Sequence, residues 1–160
     1  MKYDEMEIDK LYLENLARAG DLLASLSVAE GRKPTTKGLN GWLYEQTIRY
    51  CLREELKGLG TAPAMEEQVP LRGRVKVDVL VGKAAIEIKA LGIFGNDAQK
   101  YSSYRVKAEE NGWSYFYLTR SESYTPYRKA MQATFGEERS FFLDTPGDWE
   151  RFVREVLKNC

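Results

Sequence analysis

Two acids and a lysine at short spacing give the sequence its strongest chemical signal: Asp78, eight intervening residues, then Glu87-Ile88-Lys89. Val75, Val77, Val79 and Val81 alternate with Lys76, Asp78 and Leu80, which reads as a half-buried strand, and Ala84 to Lys89 alternates again. Gly82-Lys83 between the runs predicts a two-residue hairpin of type II′. Counting outward from it sets Val81 opposite Ala84, Leu80 opposite Ala85, Val79 opposite Ile86, Asp78 opposite Glu87 and Lys76 opposite Lys89. Asp78, Glu87 and Lys89 are then expected on one face, and Val77, Val79, Ile86 and Ile88 on the other.

Carboxylates directly opposed in a hairpin stand about 4.5–5.5 Å apart at Cβ and repel. They coexist only with a shared proton, a nearby cation or a bound metal. A divalent ion between Asp78 and Glu87 meets that need, and Lys89 can hold an attacking water or meet charge developing on a phosphate. The arrangement suits metal-assisted phosphodiester hydrolysis. The plainer alternative is a set of solvated charges, with Lys76 and Lys89 neutralising the acids. Glu55-Leu56-Lys57 has the same spacing in a helical pattern, where it carries little meaning.

A third acid precedes the hairpin. Trp42, Ile48, Leu52 and Leu56 fall within an arc of about 120° on a helix, with Glu45 near its middle. A carboxylate in an apolar stripe is costly unless paired or metal-bound. Pairing with Arg49 at i+4 is the structural alternative. Composition narrows the choice. The chain has 160 residues, 24 Lys+Arg, 24 Asp+Glu, two Cys and no His, so a catalytic Ser-His or Cys-His pair and a His-bound or four-Cys zinc site are excluded. Oxygen ligands remain, which favour Mg²⁺ or Mn²⁺. Zero net charge argues against a generic basic coat but leaves local patches open.

The elements that must position these residues are legible along the chain. Helical spacing covers 5–27, then Gly31 to Thr36 breaks it, and a second helix runs from Leu39 to Lys57, stopped by Gly58 and Gly60. Glu66 to Leu71 supplies a strand that Pro70 keeps short or at an edge. After the hairpin, Asn96 or Asp97 caps a helix ending at Gly112, and Trp113 to Thr119 forms an aromatic strand. Thr125-Pro126 opens a helix ended by Gly136, Ser140 to Leu143 forms a strand, and a last helix over 146–158 carries Trp149, Phe152, Val153, Val156 and Leu157 on one face. This is one α/β domain of 160 residues with helices packed on a central mixed sheet. No stretch approaches the roughly 20 apolar residues of a membrane span. The acidic N-terminus and the two unpaired cysteines lead us to expect a cytoplasmic protein.

With these elements in order, the chain resembles the PD-(D/E)XK nuclease superfamily over about residues 40–120. Asp78, the eight-residue gap and Glu87-Ile88-Lys89 follow its motif, with Val77 where the superfamily's name puts Pro. The resemblance implies a restriction-endonuclease-like core, in which a three-stranded antiparallel meander and further strands are flanked by helices. It implies Asp78, Glu87 and the main-chain carbonyl of Ile88 as ligands of Mg²⁺ or Mn²⁺, Lys89 as the catalytic lysine, and Glu45 as an added acid. Gln99 and Tyr101 or Tyr104 are similar to residues of its RecB-like branch, although the spacing here differs. Tyr104 is expected to be the core aromatic of that pair, and Gln99 a site residue. DNA is the implied substrate. A two-fold dimer would suit a resolvase of Holliday junctions, a monomer an end-trimming nuclease. Arg72, Arg74 and Lys76 are expected to share Asp78's face and lead a phosphate backbone inward. Arg32, Lys33 and Lys37 form a second basic group, with surface solubility as its alternative. The reading from another class is a non-catalytic nucleic-acid- or protein-binding module on the same fold.

Overall fold

The computed structural model describes residues 1–30, 38–91 and 97–160. Helices α1 (Glu5–Glu30) and α2 (Leu39–Gly58) lead into strands β1 (Met65–Arg72), β2 (Val75–Val81) and β3 (Ala84–Lys89). Helix α3 (Ala98–Glu110), strand β4 (Ser114–Thr119), helix α4 (Thr125–Phe135), strand β5 (Ser140–Phe142) and helix α5 (Asp148–Leu157) follow. The sheet has five strands in the order β1-β2-β3-β4-β5. β1, β2 and β3 form an antiparallel meander; β4 runs parallel to β3 and β5 parallel to β4. Pro70 lies in an edge strand, where its missing N–H costs no ladder bond.

Each face of the sheet carries its own apolar cluster. Ile8 and Tyr12 of α1, Ile48 and Leu52 of α2, and Trp149 and Phe152 of α5 pack on Val79, Ile86, Ile88 and Phe116. On the other face, Tyr101 of α3 and Met131 and Phe135 of α4 pack on Val77, Ala85, Tyr115 and Tyr117. Helices on both sides leave β3 and β4 almost wholly buried, Glu87 included.

The hairpin turn has the expected type. Gly82 has φ 57° while Lys83 has no positive φ, which is the type II′ pattern. The register pairs Val81 with Ala84, Leu80 with Ala85 and Val79 with Ile86, as counted. There the β2–β3 ladder ends. Asp78 and Glu87 are not a ladder pair, nor are Lys76 and Lys89, although Lys76 still pairs with Pro70 of β1. Val77 also departs from expectation: it joins the α3/α4 cluster, while Val79 joins the α1/α2 cluster. The alternation therefore changes phase at Asp78. Arg72, Arg74 and Lys76 consequently do not share its face by simple alternation.

α5 begins at Asp148, not at 146, because Gly147 takes φ 90° and the Asp148 carboxylate accepts the Phe142 N–H at 2.8 Å. The buried acid of α2 is Glu55, whose carboxylate accepts the main-chain N–H groups of Lys2 (3.0 Å) and Tyr3 (2.7 Å). Trp149 Nε1 adds a longer bond to it at 3.4 Å. The far end of the chain closes on the hairpin, with Lys83 N–H donating to the Asn159 carbonyl at 2.8 Å.

That contact sets a stability prediction. A Cβ on Gly82 would lie 2.4 Å from the Asn159 carbonyl oxygen, whereas one on Gly73, also at φ 57°, meets nothing within 4 Å. Gly73→Ala is expected to cost about 1–2 kcal/mol for its left-handed backbone. Gly82→Ala should cost roughly 2–4 kcal/mol, because overpacking adds to the same strain. Urea denaturation of the two variants checks the order.

Candidate active site

At the divergence of β2 from β3, Asp78 takes over a bond that β2's main chain no longer makes. Its Oδ2 accepts the Ile88 N–H at 2.8 Å. Lys89's carbonyl accepts the Arg120 N–H on the β4 side. Alternation along the strand therefore turns both the amide and the carbonyl of Ile88 toward β2 and Asp78. Asp78 Oδ1 accepts a long bond from Gln68 Nε2 of β1 at 3.4 Å.

Glu87 is 5% exposed, and its Oε1 lies 2.7 Å from Lys89 Nζ. Tyr115 OH reaches its Oε2 at 3.4 Å. Burial, together with the negative charge of Asp78, raises the Glu87 carboxyl to about 7, and Lys89 offsets only part of this. Burial also raises Asp78, against the opposing pull of Lys89 and the Ile88 N–H. Burial would lower Lys89, but Glu87 and Asp78 outweigh it and hold the ammonium protonated.

Glu45 enters from α2. Burial, with the charges of Asp78 and Glu87 and against the pull of Lys89, raises it to about 7, so all four groups feel one another. Glu45 is not central to a buried stripe, however. Trp42 is 55% exposed, and the buried face of α2 runs through Tyr44, Ile48, Cys51, Leu52 and Glu55, with Glu45 at its margin. Nor does Arg49 turn back to Glu45. It pairs with Glu67 of β1 and donates to Gln46 Oε1 at 3.1 Å.

The remaining expected residues divide. Tyr101, not Tyr104, is the buried aromatic, 5% exposed with its ring 5.9 Å from Lys89 Nζ. Gln99 is exposed in the first turn of α3, and its neighbour Lys100 sits 5.2 Å from the Tyr101 ring and lowers Glu87. Arg72 is exposed and 3.6 Å from Glu110, and Arg74 and Lys76 are exposed. Arg32, Lys33, Lys37 and Asn96 lie outside the described residues, and Asp97 precedes α3 without a side-chain cap bond.

Sequence reasoning passed over three residues here: Gln68, Tyr115 and Lys100. Tyr115 belongs to the aromatic strand and is buried, and only the packing of the sheet brings its hydroxyl to Glu87. Lys100 stands between Gln99 and Tyr101, which is the signal that could have found it. Gln68 gave no signal. A cleft of about 840 Å³ lies elsewhere, lined by Asp9, Leu13, Arg120 and Asp144, and holds none of the expected site residues.

Three acids around one lysine are short of positive charge. Hard oxygen donors with two carboxyls titrating near 7 suit a divalent cation, which would displace their protons. Among the described residues, no three His, Cys, Asp or Glu side chains are grouped to hold an ion as they stand. Glu87 bonds Lys89 and Asp78 bonds Ile88 and Gln68, and each carboxylate keeps further lone pairs that an ion could use.

Both raised carboxyls bind protons more tightly folded than unfolded. Their contribution to stability is therefore fully present below the ordinary Glu value of 4.5 and is lost as pH rises through about 7. In EDTA, the wild type should lose more stability between pH 5 and pH 8 (roughly spanning that window) than Glu45→Gln does. Urea denaturation at the two pH values measures the difference.

Compared with protein-family models, curated proteins and solved structures, the chain matches none.

Proposed function

We propose that this chain is a divalent-metal-dependent nuclease that hydrolyses phosphodiester bonds of DNA, built on a restriction-endonuclease-like core of the PD-(D/E)XK type. The observation that carries the reading is the joining of Asp78 and Glu87-Ile88-Lys89 where β2 parts from β3, with Glu45 electrostatically coupled to them. Asp78, Glu87 and the Ile88 carbonyl would hold Mg²⁺ or Mn²⁺, with Glu45 as an added acid. When bound, such an ion supplies positive charge to the scissile phosphate and lowers the pKa of water. With Glu87 engaged as a ligand, the Lys89 ammonium is released to orient the attacking water or to meet charge on the phosphate. Tyr101 and Tyr115 wall this pair on the α3 side and limit its access to water.

The test is incubation of linear, circular, single-stranded and four-way-junction DNA with Mg²⁺, Mn²⁺ or EDTA. Cleavage should need the ion, and Asp78→Ala, Glu87→Ala and Lys89→Ala should each lower it by at least about 10² (the size of effect for a group acting on the reacting atoms) while keeping the fold, Asp78→Ala at a cost in stability for the Ile88 N–H it leaves unpaired. Wild-type rates in any of the three sink the mechanism. Junction nicking by a stable dimer would assign the resolvase class, and end-dependent degradation by a monomer the trimming class.

One observation favours a second reading, a binding module that keeps the fold without catalysis: both would-be ligands already have bonding partners within the protein. Calorimetry with Mn²⁺ separates the two. Binding by the wild type that Glu87→Ala weakens supports the nuclease, and no binding at millimolar ion supports the module.

A further inference from the structure

Among the described residues, Gln68 is the only non-glycine residue with a positive φ, 51°. Long, unbranched Gln is an uncommon occupant of that region, which Gly, Asn and Asp enter more readily. The residue sits at a fault line. Register pairs Glu67↔Val79 and Val69↔Val77 flank the position, but Gln68 and Asp78, which stand across from each other, are absent from the ladder. Both strands change phase there. Met65 and Val79 pack with the α1/α2 cluster, whereas Val69, Leu71 and Val77 pack with the α3/α4 cluster.

The side chain at this fault is exposed, so no apolar burial accounts for the conformation. What it does make is a bond to Asp78. Its carboxamide donates to Oδ1 at 3.4 Å while Oδ2 accepts the Ile88 N–H at 2.8 Å, so the carboxylate is held at both oxygens. Unbroken alternation would place Asp78 across from Glu87 on one face. The fault instead turns Asp78 sideways, toward the freed end of β3.

We propose that Gln68 is a positioning residue that holds the Asp78 carboxylate at the opening between β2 and β3, oriented for a metal ion; the metal purpose rests on the nuclease reading above. Strained backbone at such a point persists where the surroundings fix it and function uses it.

Gln68→Gly is the informative variant. Gly keeps the left-handed backbone without strain and removes the exposed side chain that bears the carboxamide. Three measurements on the full chain are combined: urea denaturation, amide hydrogen exchange at Ile88, and Mn²⁺ binding by calorimetry, each with Asp78→Ala as reference. The variant should be at least as stable as the wild type, exchange the Ile88 amide severalfold faster, and bind Mn²⁺ about tenfold more weakly, the loss usual when a ligand's supporting bond is removed. Unchanged Ile88 exchange overturns the proposal. So does wild-type Mn²⁺ affinity in Gln68→Gly where Asp78→Ala abolishes binding. If the wild type binds no Mn²⁺ but Gln68→Gly speeds Ile88 exchange, the nuclease reading falls and the positioning role stands.

Discussion

A buried strand cannot leave an N–H without an acceptor, and at Ile88 the acceptor is a side chain. β2 leaves β3 after Val79↔Ile86, and the Asp78 carboxylate supplies the missing oxygen. A charge-assisted bond of this kind is worth about 1.5–3 kcal/mol. It lets the sheet open at one place without orphaning its central strand. The opening is where the chemistry gathers: the Ile88 carbonyl turns into it, Glu87 and Lys89 flank it, and α2 brings Glu45 to its edge. Replacing Asp78 would therefore disturb more than a ligand, because the same atom that would meet a metal now holds the strand end.

The electrostatics follow from that placement. Acids with too little positive charge around them are tolerable in the metal-free protein only by sharing Lys89 and by holding protons. This is a poor arrangement for stability and a good one for capturing a cation. Glu55 makes the contrast within the same helix. It is more deeply buried than Glu45, yet N–H donors from the N-terminus and Trp149 satisfy it, and its role is to tie α1's entrance to α2 and α5. Two glutamates ten positions apart on α2 thus differ in what they do because of what surrounds them.

Element order, strand register near the turn and the choice of Gly82 were all legible, because each depends on local alternation, local φ or a stop residue. What the sequence hid was set at a distance. The phase change at Asp78 stands opposite the positive φ of Gln68 on the neighbouring strand, and nothing in the type of that residue announces it. Arg49 looked toward Glu45 at i+4, but β1 offered Glu67 at closer reach. The stripe through Trp42 and Glu45 is real as spacing, yet α1 crosses α2 along Tyr44 and Ile48, which rotates the buried face away from it. Tyr101 and Tyr104 are equivalent by spacing, and only the position of α4, whose Phe135 ring stands 6.0 Å from Tyr101, decides between them.

The contact between Asn159 and the hairpin turn has a consequence for the order of folding. A two-residue hairpin closes in about 1–10 μs on its own. The Lys83 amide, however, finds the Asn159 carbonyl only after α5 has docked, and α5 docks on a sheet that already includes β4 and β5. The hairpin bearing the acids and the lysine is thus among the first pieces that can form and among the last to be completed. Its final bond links a local turn to the far end of the chain, which makes the completed site a property of the whole domain and not of the hairpin that carries it.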